Sequence, residues 1–326
     1  MSSPNKSIGG YFELELPVQK QQKYPDALKF QSARSAFFSL LQHMPNVKRV
    51  YAPAYLCDSM LAPIYASGKI LELYEINEKL CIKEEIQLNV DDLLLYVNYF
   101  GVCDPNVDRV LQTYNPSQVV IDCSQAFYAG PYDCLATIYS PRKFFGVPDG
   151  GLLITKQLLS APEVKDQESI FRMSHLIQRL AFSAEEGYAS YKVAEKSLDE
   201  LKPKIMSDLT SQLLQSINYE DAENKRQSNF QALHMTLGQS NLLSLDHVEG
   251  APMCYPYLSA RDIDKAFLAN HRIYIPTYWP DVNKRGRKNS FEIDAANNLI
   301  ALPCDQRYEI SDLDKVLKEL DNALLS

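Results

Sequence analysis

Three short segments of the sequence carry residue types that could do chemistry. The first is SPRKFFGVPDGG (140–151), in which Lys143 follows an apolar stretch at 136–139. A lysine beside bulky apolar residues and a second cation can lose its proton at neutral pH and become nucleophilic. An ordinary solvated loop lysine is the alternative, because most lysines are exposed.

The other two segments could hold charges on a ligand. Asp122 directly follows the apolar run 119–121, where a carboxylate could hold a positively charged ligand atom. A turn or helix N-cap aspartate is the alternative for Asp122. The segment SARSA (32–36) opens the first predicted helix, and free amides with a positive dipole end suit a phosphate. Ser32 as a simple N-cap is the alternative there.

Together, the three segments point to one cofactor. Pyridoxal phosphate requires a lysine for its Schiff base, an acid against its pyridine nitrogen and an anion site for its phosphate. The common nucleotide, zinc-protease and serine-hydrolase motifs are absent from the sequence. The five histidines are scattered, so no metal site is expected.

The elements that must position these residues alternate between helical and strand-like patterns from 28 to 156. This alternation predicts an α/β fold, a three-layer sandwich with a mostly parallel central sheet covered by helices on both faces. Ligands of such sheets lie at the carboxyl ends of the strands. Strands are predicted at 49–52, 70–74, 93–98, 119–121, 136–139 and 151–155, and helices at 32–44, 58–66 and 107–114.

The second half of the chain changes character. It is helical and charged from 163 to 238, and one apolar stripe is interpreted as a helix packed on the sheet: Ile170, Met173, Leu176, Ile177 and Leu180. The tail mixes predicted strands (255–258, 273–275, 299–302) with predicted helices (260–270, 311–324). We therefore expect a large cofactor-binding domain with an N-terminal arm at 1–165, linking helices at 166–205 and a small C-terminal α+β domain at 206–326.

Composition narrows the class of protein. The 326 residues carry a net charge of -8 and are 46% hydrophobic, as in globular proteins. The negative charge argues against nucleic-acid and anionic-membrane partners. The sequence has no apolar run of about 18 residues, which a membrane span needs, and no signal peptide is expected. Seven dispersed cysteines without a CxxC pair indicate a reducing compartment, so we expect a cytoplasmic protein.

The motifs also carry a resemblance to a known family. The lysine segment behind IDCSQAF (121–127), with the opening IGGYF (8–12) and the late LPCDQR (302–307), resembles the DegT/DnrJ/StrS sugar aminotransferases, fold type I pyridoxal phosphate enzymes. The likeness extends over nearly the whole chain and is strongest to a short subgroup of the family.

This resemblance implies roles for individual residues. Lys143 would form the Schiff base and later transfer protons, and Asp122 would pair with the pyridinium nitrogen. Gln125 would lie beside the cofactor ring, and Ser140 would bind the phosphate together with the backbone of Arg34 and Ser35. The family usually stacks an aromatic residue on the ring, where strict alignment places Cys57 and Tyr55 is the substitute. Asn98 would face the active site from its strand end.

The sequence departs from the family at one contact. In PKIMSDL (203–209), Pro203 replaces the asparagine that reaches the partner chain's phosphate, and Ile205 replaces an arginine. That contact between subunits is therefore not carried over. The resemblance still implies a homodimer with active sites at the interface.

The implied function is transamination from an amino acid, glutamate being expected, to a nucleotide-linked keto-sugar in polysaccharide or amino-sugar biosynthesis. A pyridoxal phosphate-dependent sugar dehydratase and a non-catalytic regulator that retains the fold are the alternatives. The basic loop 284–288 could bind the diphosphate of a nucleotide sugar, or it could be a solvated surface loop. Tyr274, Tyr278 and Trp279 could stack on a sugar or base, or pack in the core.

Overall fold

The computed structural model describes residues 8–17, 22–245, 248 and 250–324. Within these residues, seven strands form one sheet. In chain order they are β1 (Leu28–Phe30), β2 (Arg49–Pro53), β3 (Ile70–Tyr74), β4 (Asp92–Val97), β5 (Val119–Cys123), β6 (Ala136–Tyr139) and β7 (Gly151–Thr155).

The spatial order of the strands is β1-β7-β6-β5-β4-β2-β3. The five strands from β3 to β6 in this order run parallel, and β7 and β1 are antiparallel to their neighbours. Every residue of β4 and β5 is buried, as expected for central strands covered on both faces. The predicted mostly parallel α/β sheet is confirmed, and β1 is the strand that the sequence pattern did not predict.

Helices flank this sheet and continue through the second half of the chain. Those between the strands are α1 (Ala33–Gln42), α2 (Asp58–Ala66) and α3 (Asp104–Thr113). After β7 come α4 (Ser169–Arg172), α5 (Ser174–Ala181), α6 (Ala184–Ser197), α7 (Asp208–Gln215) and α8 (Tyr219–Leu237). The C-terminal part contains α9 (Lys265–Asn270), α10 (Val282–Arg285), α11 (Phe291–Asn298) and α12 (Ile310–Ala323).

A second, two-stranded sheet belongs to the C-terminal part. It pairs β8 (Tyr255–Tyr257) with β9 (Ile300–Leu302) in antiparallel register, and α8 contacts both β8 and α12. This arrangement agrees with the predicted α+β character of the tail. The domain boundaries at residues 165 and 205 stay a prediction. Among the described helices, none is long and apolar enough to cross a bilayer.

Two predictions from the sequence pattern are wrong. The apolar stripe from 170 to 180 does not pack on the sheet, because α5 packs on α6 and leaves Ile177 56% and Leu180 88% exposed. The predicted strand 273–275 is irregular, because Arg272 has a φ of 60° and Pro276 lacks an amide hydrogen. Periodicity identifies an apolar face or run, but it does not identify what covers it.

The close approach of β7 to the start of α1 depends on one glycine. A Cβ atom at Gly151 would lie 2.2 Å from the carbonyl carbon of Ser32 and 2.4 Å from the amide nitrogen of Ala33. The amide of Gly150 donates to the carbonyl of Gln31 at 2.8 Å, so the two segments are joined there. This packing places the N-terminus of α1 beside the segment that carries Lys143.

A buried carboxylate fixes the same segment to α7. Asp149 accepts hydrogen bonds from the amide and hydroxyl of Ser207, at 2.9 and 2.8 Å, and from the hydroxyl of Thr210. Ser207 is also the N-cap of α7, since its hydroxyl accepts from the amide of Thr210. One side chain therefore joins the end of the lysine segment to the beginning of a helix.

We predict that Asp149→Ala lowers the free energy of unfolding by about 2–4 kcal/mol, because the buried amide and hydroxyls lose their acceptor. Urea denaturation measures this loss. The control is Asp133→Ala, which removes an exposed ion pair with Lys156 and should leave the free energy of unfolding nearly unchanged. Equal losses in the two variants would contradict the role assigned to Asp149.

Candidate active site

A large cavity opens at the carboxyl ends of β5 and β6. Its volume is about 940 Å³, and Lys143 is on its wall. Lys143 ends a single 3₁₀ turn, Pro141–Lys143, that directly follows β6. Among the described residues, none forms a hydrogen bond or ion pair with its amine. The amine is therefore available to a ligand, and its reactivity stays a prediction.

Strand register brings the next predicted residues to the same edge of the sheet. Cys123 pairs with Tyr139 across the parallel β5 and β6, so Ser124 and Ser140 follow side by side. Both serines line the cavity. Asp122 is only 2% exposed, and its carboxylate accepts a hydrogen bond from the amide of Ser124 at 2.8 Å. The buried carboxylate thus lies two residues before the cavity wall.

The N-terminus of α1 contributes a third part of the cavity wall. Ser32 is the N-cap, and its hydroxyl accepts from the amide of Ser35 at 3.2 Å. Because this cap engages the Ser35 amide, that amide is less available to a phosphate than the sequence analysis assumed. Ser32, Ala33 and Arg34 line the cavity instead. Arg34 belongs to the first turn of the helix, where amides have no partner within the helix.

Several buried polar atoms near the strand ends lack a protein partner. They are the hydroxyl of Ser124, the side-chain nitrogen of Gln125 and the hydroxyl of Tyr55. The side-chain oxygen of Gln125 accepts from the amide of Phe100 at 3.0 Å, which fixes the orientation of its amide group. Buried polar groups without partners are costly. Of these three residues only Ser124, which no sequence pattern marks, is on the cavity wall, where its hydroxyl could bond to a polar ligand.

Tyr55 and Asn98 differ in position from their predicted roles. The Tyr55 ring is fully buried, stacked on the ring of Tyr99 at 5.7 Å and edge-on to that of Trp279 at 4.6 Å between centroids. Cys57, not Tyr55, lines the cavity. Asn98 is fully buried, and its amide donates to Asp104 and Tyr132 while its oxygen accepts from the amide of Cys103. Its side chain stabilises the loop between β4 and α3 and is not part of the cavity wall.

The basic loop 284–288 is absent from the cavity wall. Arg285 is a structural clamp, because its guanidinium bonds to the carbonyls of Ala54 and Leu56 and to the carboxylate of Asp58. Lys284 lies near Asp281, and Arg287 lies near Glu75. The expectation that this loop meets a diphosphate is therefore not supported. The three aromatic residues named with it, Tyr274, Tyr278 and Trp279, do line the cavity.

The cavity wall is strongly cationic although the whole chain is acidic. Two acidic residues line it, Glu195 and Asp305, against seven basic ones: Arg34, Arg142, Lys143, Arg179, Arg272, Arg307 and Lys315. Arg142 pairs with Glu195, Arg307 with Asp305, Arg34 with Asp199 and Arg272 with Glu185. Lys143, Arg179 and Lys315 have no ion-pair partner among the described residues, so their charges dominate the wall. Such a wall attracts anions. Most of these residues lie far apart in the sequence, and no motif marks them.

His175 is a second lining residue that the sequence analysis passed over. Desolvation by burial lowers the pKa of its imidazole from the usual value, and the nearby Arg142 lowers it further. The backbone carbonyl of Arg172 and the carboxylate of Glu195 act in the opposite direction. The ring packs edge-on against Tyr191, 5.6 Å between centroids. A neutral ring is therefore favoured at this part of the wall.

One exposed contact crosses the rim of the cavity. Glu185, in the first turn of α6, accepts from the hydroxyl of Tyr274 and from Arg272 at 2.9 Å. These bonds lower the pKa of Glu185 to about 2, and the bond from Tyr274 has the largest effect. The contact joins α6 to the C-terminal part of the chain across the rim.

The comparison with solved structures identifies the fold. Spr1654 from Streptococcus pneumoniae, described as a sugar aminotransferase, superposes with a TM-score of 0.65 at 15% identity over 94% of this chain and 91% of that one. The chain has the fold of the sugar aminotransferases. The same likeness extends to sugar aminotransferase CalS13 from Micromonospora echinospora, with a TM-score of 0.58 at 13% identity over 94% and 93% of the two chains.

A DegT DnrJ EryC1 StrS aminotransferase from Brucella abortus also shares the fold. Its TM-score is 0.60 at 12% identity, over 91% of this chain and 85% of that one. No protein-family model matches the sequence, and no curated protein matches it either. The predicted fold type I architecture is confirmed by three-dimensional likeness that sequence comparison does not detect.

We predict that Tyr274→Phe raises the pKa of Glu185 from about 2 toward 4.5, its ordinary value, because the largest stabilising hydrogen bond is lost. NMR titration of the Glu185 carboxyl measures this pKa in both proteins. Since folding lowers this pKa, the stabilising contact is complete above about pH 4.5 and is lost as the pH falls through about 2. Tyr65→Phe, at another exposed tyrosine, is the control; an unchanged pKa in Tyr274→Phe would contradict the contact.

Proposed function

We propose that the protein is a pyridoxal phosphate-dependent aminotransferase of the DegT/DnrJ/StrS type. It transfers an amino group from an amino acid, glutamate being our choice, to a nucleotide-linked keto-sugar. The observation that carries this proposal is the free amine of Lys143 on a cavity wall shared with Ser124 and Ser140. Solved structures of the same fold include pyridoxal phosphate and pyridoxamine phosphate forms of Spr1654.

The residues present fit the cofactor. Ser140 and the amide of Arg34 would hold the phosphate, because both lie at an anion-attracting edge of the cavity. Asp122 would hold the protonated pyridine nitrogen, and the unpartnered nitrogen of Gln125 can donate a hydrogen bond to the cofactor. When bound, pyridoxal phosphate supplies an electron sink for the carbon that bears the amino group.

The role of Lys143 follows from its position and freedom. Its Nζ would attach the cofactor covalently and, once displaced by the amino donor, would accept the proton of the donor's α-carbon. In the second half of the reaction the same amine would return a proton to the acceptor carbon. An amine already held in an ion pair would be less able to do either, and no described residue pairs with it.

The cationic wall supports an anionic acceptor. Arg179 and Lys315 line the cavity with their charges unpaired by any described residue, and Arg272 lies at the rim. Arginine binds phosphate oxygens in bidentate fashion, which suits the diphosphate of a nucleotide sugar. The aromatic side chains of Tyr274, Tyr278 and Trp279 offer stacking surfaces for the rest of the molecule.

We predict that Lys143→Ala lowers turnover at least about 10³-fold, because the variant lacks the group that attaches the cofactor and moves the protons. Borohydride reduction followed by mass spectrometry should locate the cofactor on Lys143 in the unaltered protein and on no lysine in the variant. Lys156→Ala, at an exposed lysine paired with Asp133, is the control.

Three results would overturn or change the proposal. Unlabelled Lys143 in the unaltered protein would remove the assigned cofactor chemistry. Loss of a sugar hydroxyl without consumption of glutamate would identify a dehydratase instead. Absence of any cofactor binding would leave the non-catalytic regulator.

We also propose a homodimer in the cytoplasm. The seven cysteines are all free thiols, which supports a reducing compartment. One face of α5 and α6 lines the cavity. The outer face of α4 to α6 instead exposes large apolar side chains to solvent: Ile170, Phe171, Ile177, Leu180, Phe182, Tyr188 and Val193. Such a patch is typical of a protein interface. A second subunit seated there would place the interface directly behind the cavity wall.

We predict that Leu180→Glu raises the dissociation constant of the dimer about tenfold or more, because an unpaired charge would be buried in the interface. Sedimentation velocity over a concentration series measures this change. Val90→Glu is the control, since Val90 is as exposed as Leu180 but lies before β4, outside α4 to α6. A monomeric unaltered protein, or equal constants in the two variants, would contradict this interface.

A further inference from the structure

One arginine is completely enclosed behind the segment that carries Lys143. Arg226, on α8, is 2% exposed. Its guanidinium donates to the carbonyl of Phe144 at 3.1 Å, to that of Pro252 at 3.1 Å and to that of Met253 at 3.2 Å. It also lies over the Phe144 ring, 4.5 Å from the centroid.

This arginine has no ion-pair partner among the described residues. Burial lowers the pKa of its guanidinium from the ordinary value, since the charge is desolvated. Burying a cation without a paired anion is unfavourable, and carbonyl oxygens compensate only in part. The arrangement therefore indicates a requirement for joining these three carbonyls at fixed positions.

The three carbonyls belong to two segments of the chain that both contribute to the cavity wall. Phe144 is the residue directly after Lys143, and Met253 lines the cavity together with Cys254. Lys143 and Cys254 both line the cavity. The carbonyl of Phe144 also accepts from the side chain of Gln306 at 3.0 Å. The carbonyl next to the lysine is thus fixed by two side-chain donors, Arg226 and Gln306.

We infer that Arg226 is a positioning residue for Lys143, which fixes the main chain at the lysine against the segment 252–253 so that the amine projects into the cavity. This inference rests on the proposed function, in which Lys143 transfers protons. A misplacement of about 1 Å at such a group can cost about 10²-fold in rate.

Arg226→Lys tests the inference because it retains the charge. A lysine ammonium is a point donor on a flexible stem and cannot reproduce the planar fork that bonds three carbonyls. The matched control is Arg172→Lys. Arg172 is also buried, but it bonds to Asp166, Glu168 and Ser197, away from the lysine segment. Both variants should lower the thermal midpoint of unfolding.

Arg226→Lys should lower kcat about 10–10²-fold and leave the KM of both substrates within about twofold, because proton transfer rather than binding is affected. Arg172→Lys should leave kcat and KM near those of the unaltered protein. Equal kinetic effects in the two variants, or a change in KM alone in Arg226→Lys, would overturn the inference.

A measurement independent of cofactor and activity separates this inference from the proposed function. The rate of reductive methylation at Lys143, measured by mass spectrometry relative to Lys156, should change at least about threefold in Arg226→Lys and remain unchanged in Arg172→Lys. An unchanged rate in Arg226→Lys would overturn the positioning role even if the aminotransferase assignment holds. A changed rate in a protein that binds no cofactor would refute the assignment and retain the positioning role.

Discussion

The parallel register of β4, β5 and β6 is the constraint on which the rest of the structure depends. Because these strands run in one direction, their carboxyl ends meet at one edge of the sheet, and polar residues that follow different strands become neighbours. Asp122, Ser124 and Ser140 are brought together in this way. The strands can do so only while every residue of β4 and β5 is apolar or paired, since both faces are covered.

The segment after β6 converts this common edge into a shaped cavity. It must leave the sheet, present Lys143, and return as the antiparallel β7. Three contacts fix this segment. Gly151 lets β7 approach α1, and the buried carboxylate of Asp149 bonds to the N-terminus of α7. The guanidinium of Arg226 bonds to the carbonyl of Phe144. A flexible side chain is thus carried by a main chain that is fixed on several sides.

The sequence could predict those parts of the molecule that depend on local pattern. Buried strands follow from neighbours in the chain, and the structure agrees with that prediction. The N-cap role of Ser32, which the sequence left as an alternative, is also observed, while the reactivity of Lys143 stays a prediction. Tyr55, Asn98 and the basic loop were less predictable, because their contacts lie far away in the sequence. Tyr55 is enclosed by Tyr99 and Trp279, and Arg285 binds the chain around Leu56. Asn98 donates to the distant Tyr132 as well as bonding within its own loop. Likewise, the sequence pattern of α5 shows an apolar stripe, but it does not show that α5 packs on α6 and not on the sheet.

The clamp formed by Arg285 has a mechanical consequence. It fastens the C-terminal part of the chain to the segment 54–58 through two carbonyls and a carboxylate, beside the cavity wall at Cys57. At α6, a second connection to the C-terminal part is the solvent-exposed contact of Glu185 with Arg272 and Tyr274. Exposed ion pairs contribute little to stability, whereas Arg285 is mostly shielded from solvent and bonds to main-chain oxygens. The wall of the cavity is therefore held more firmly at Cys57 than at α6.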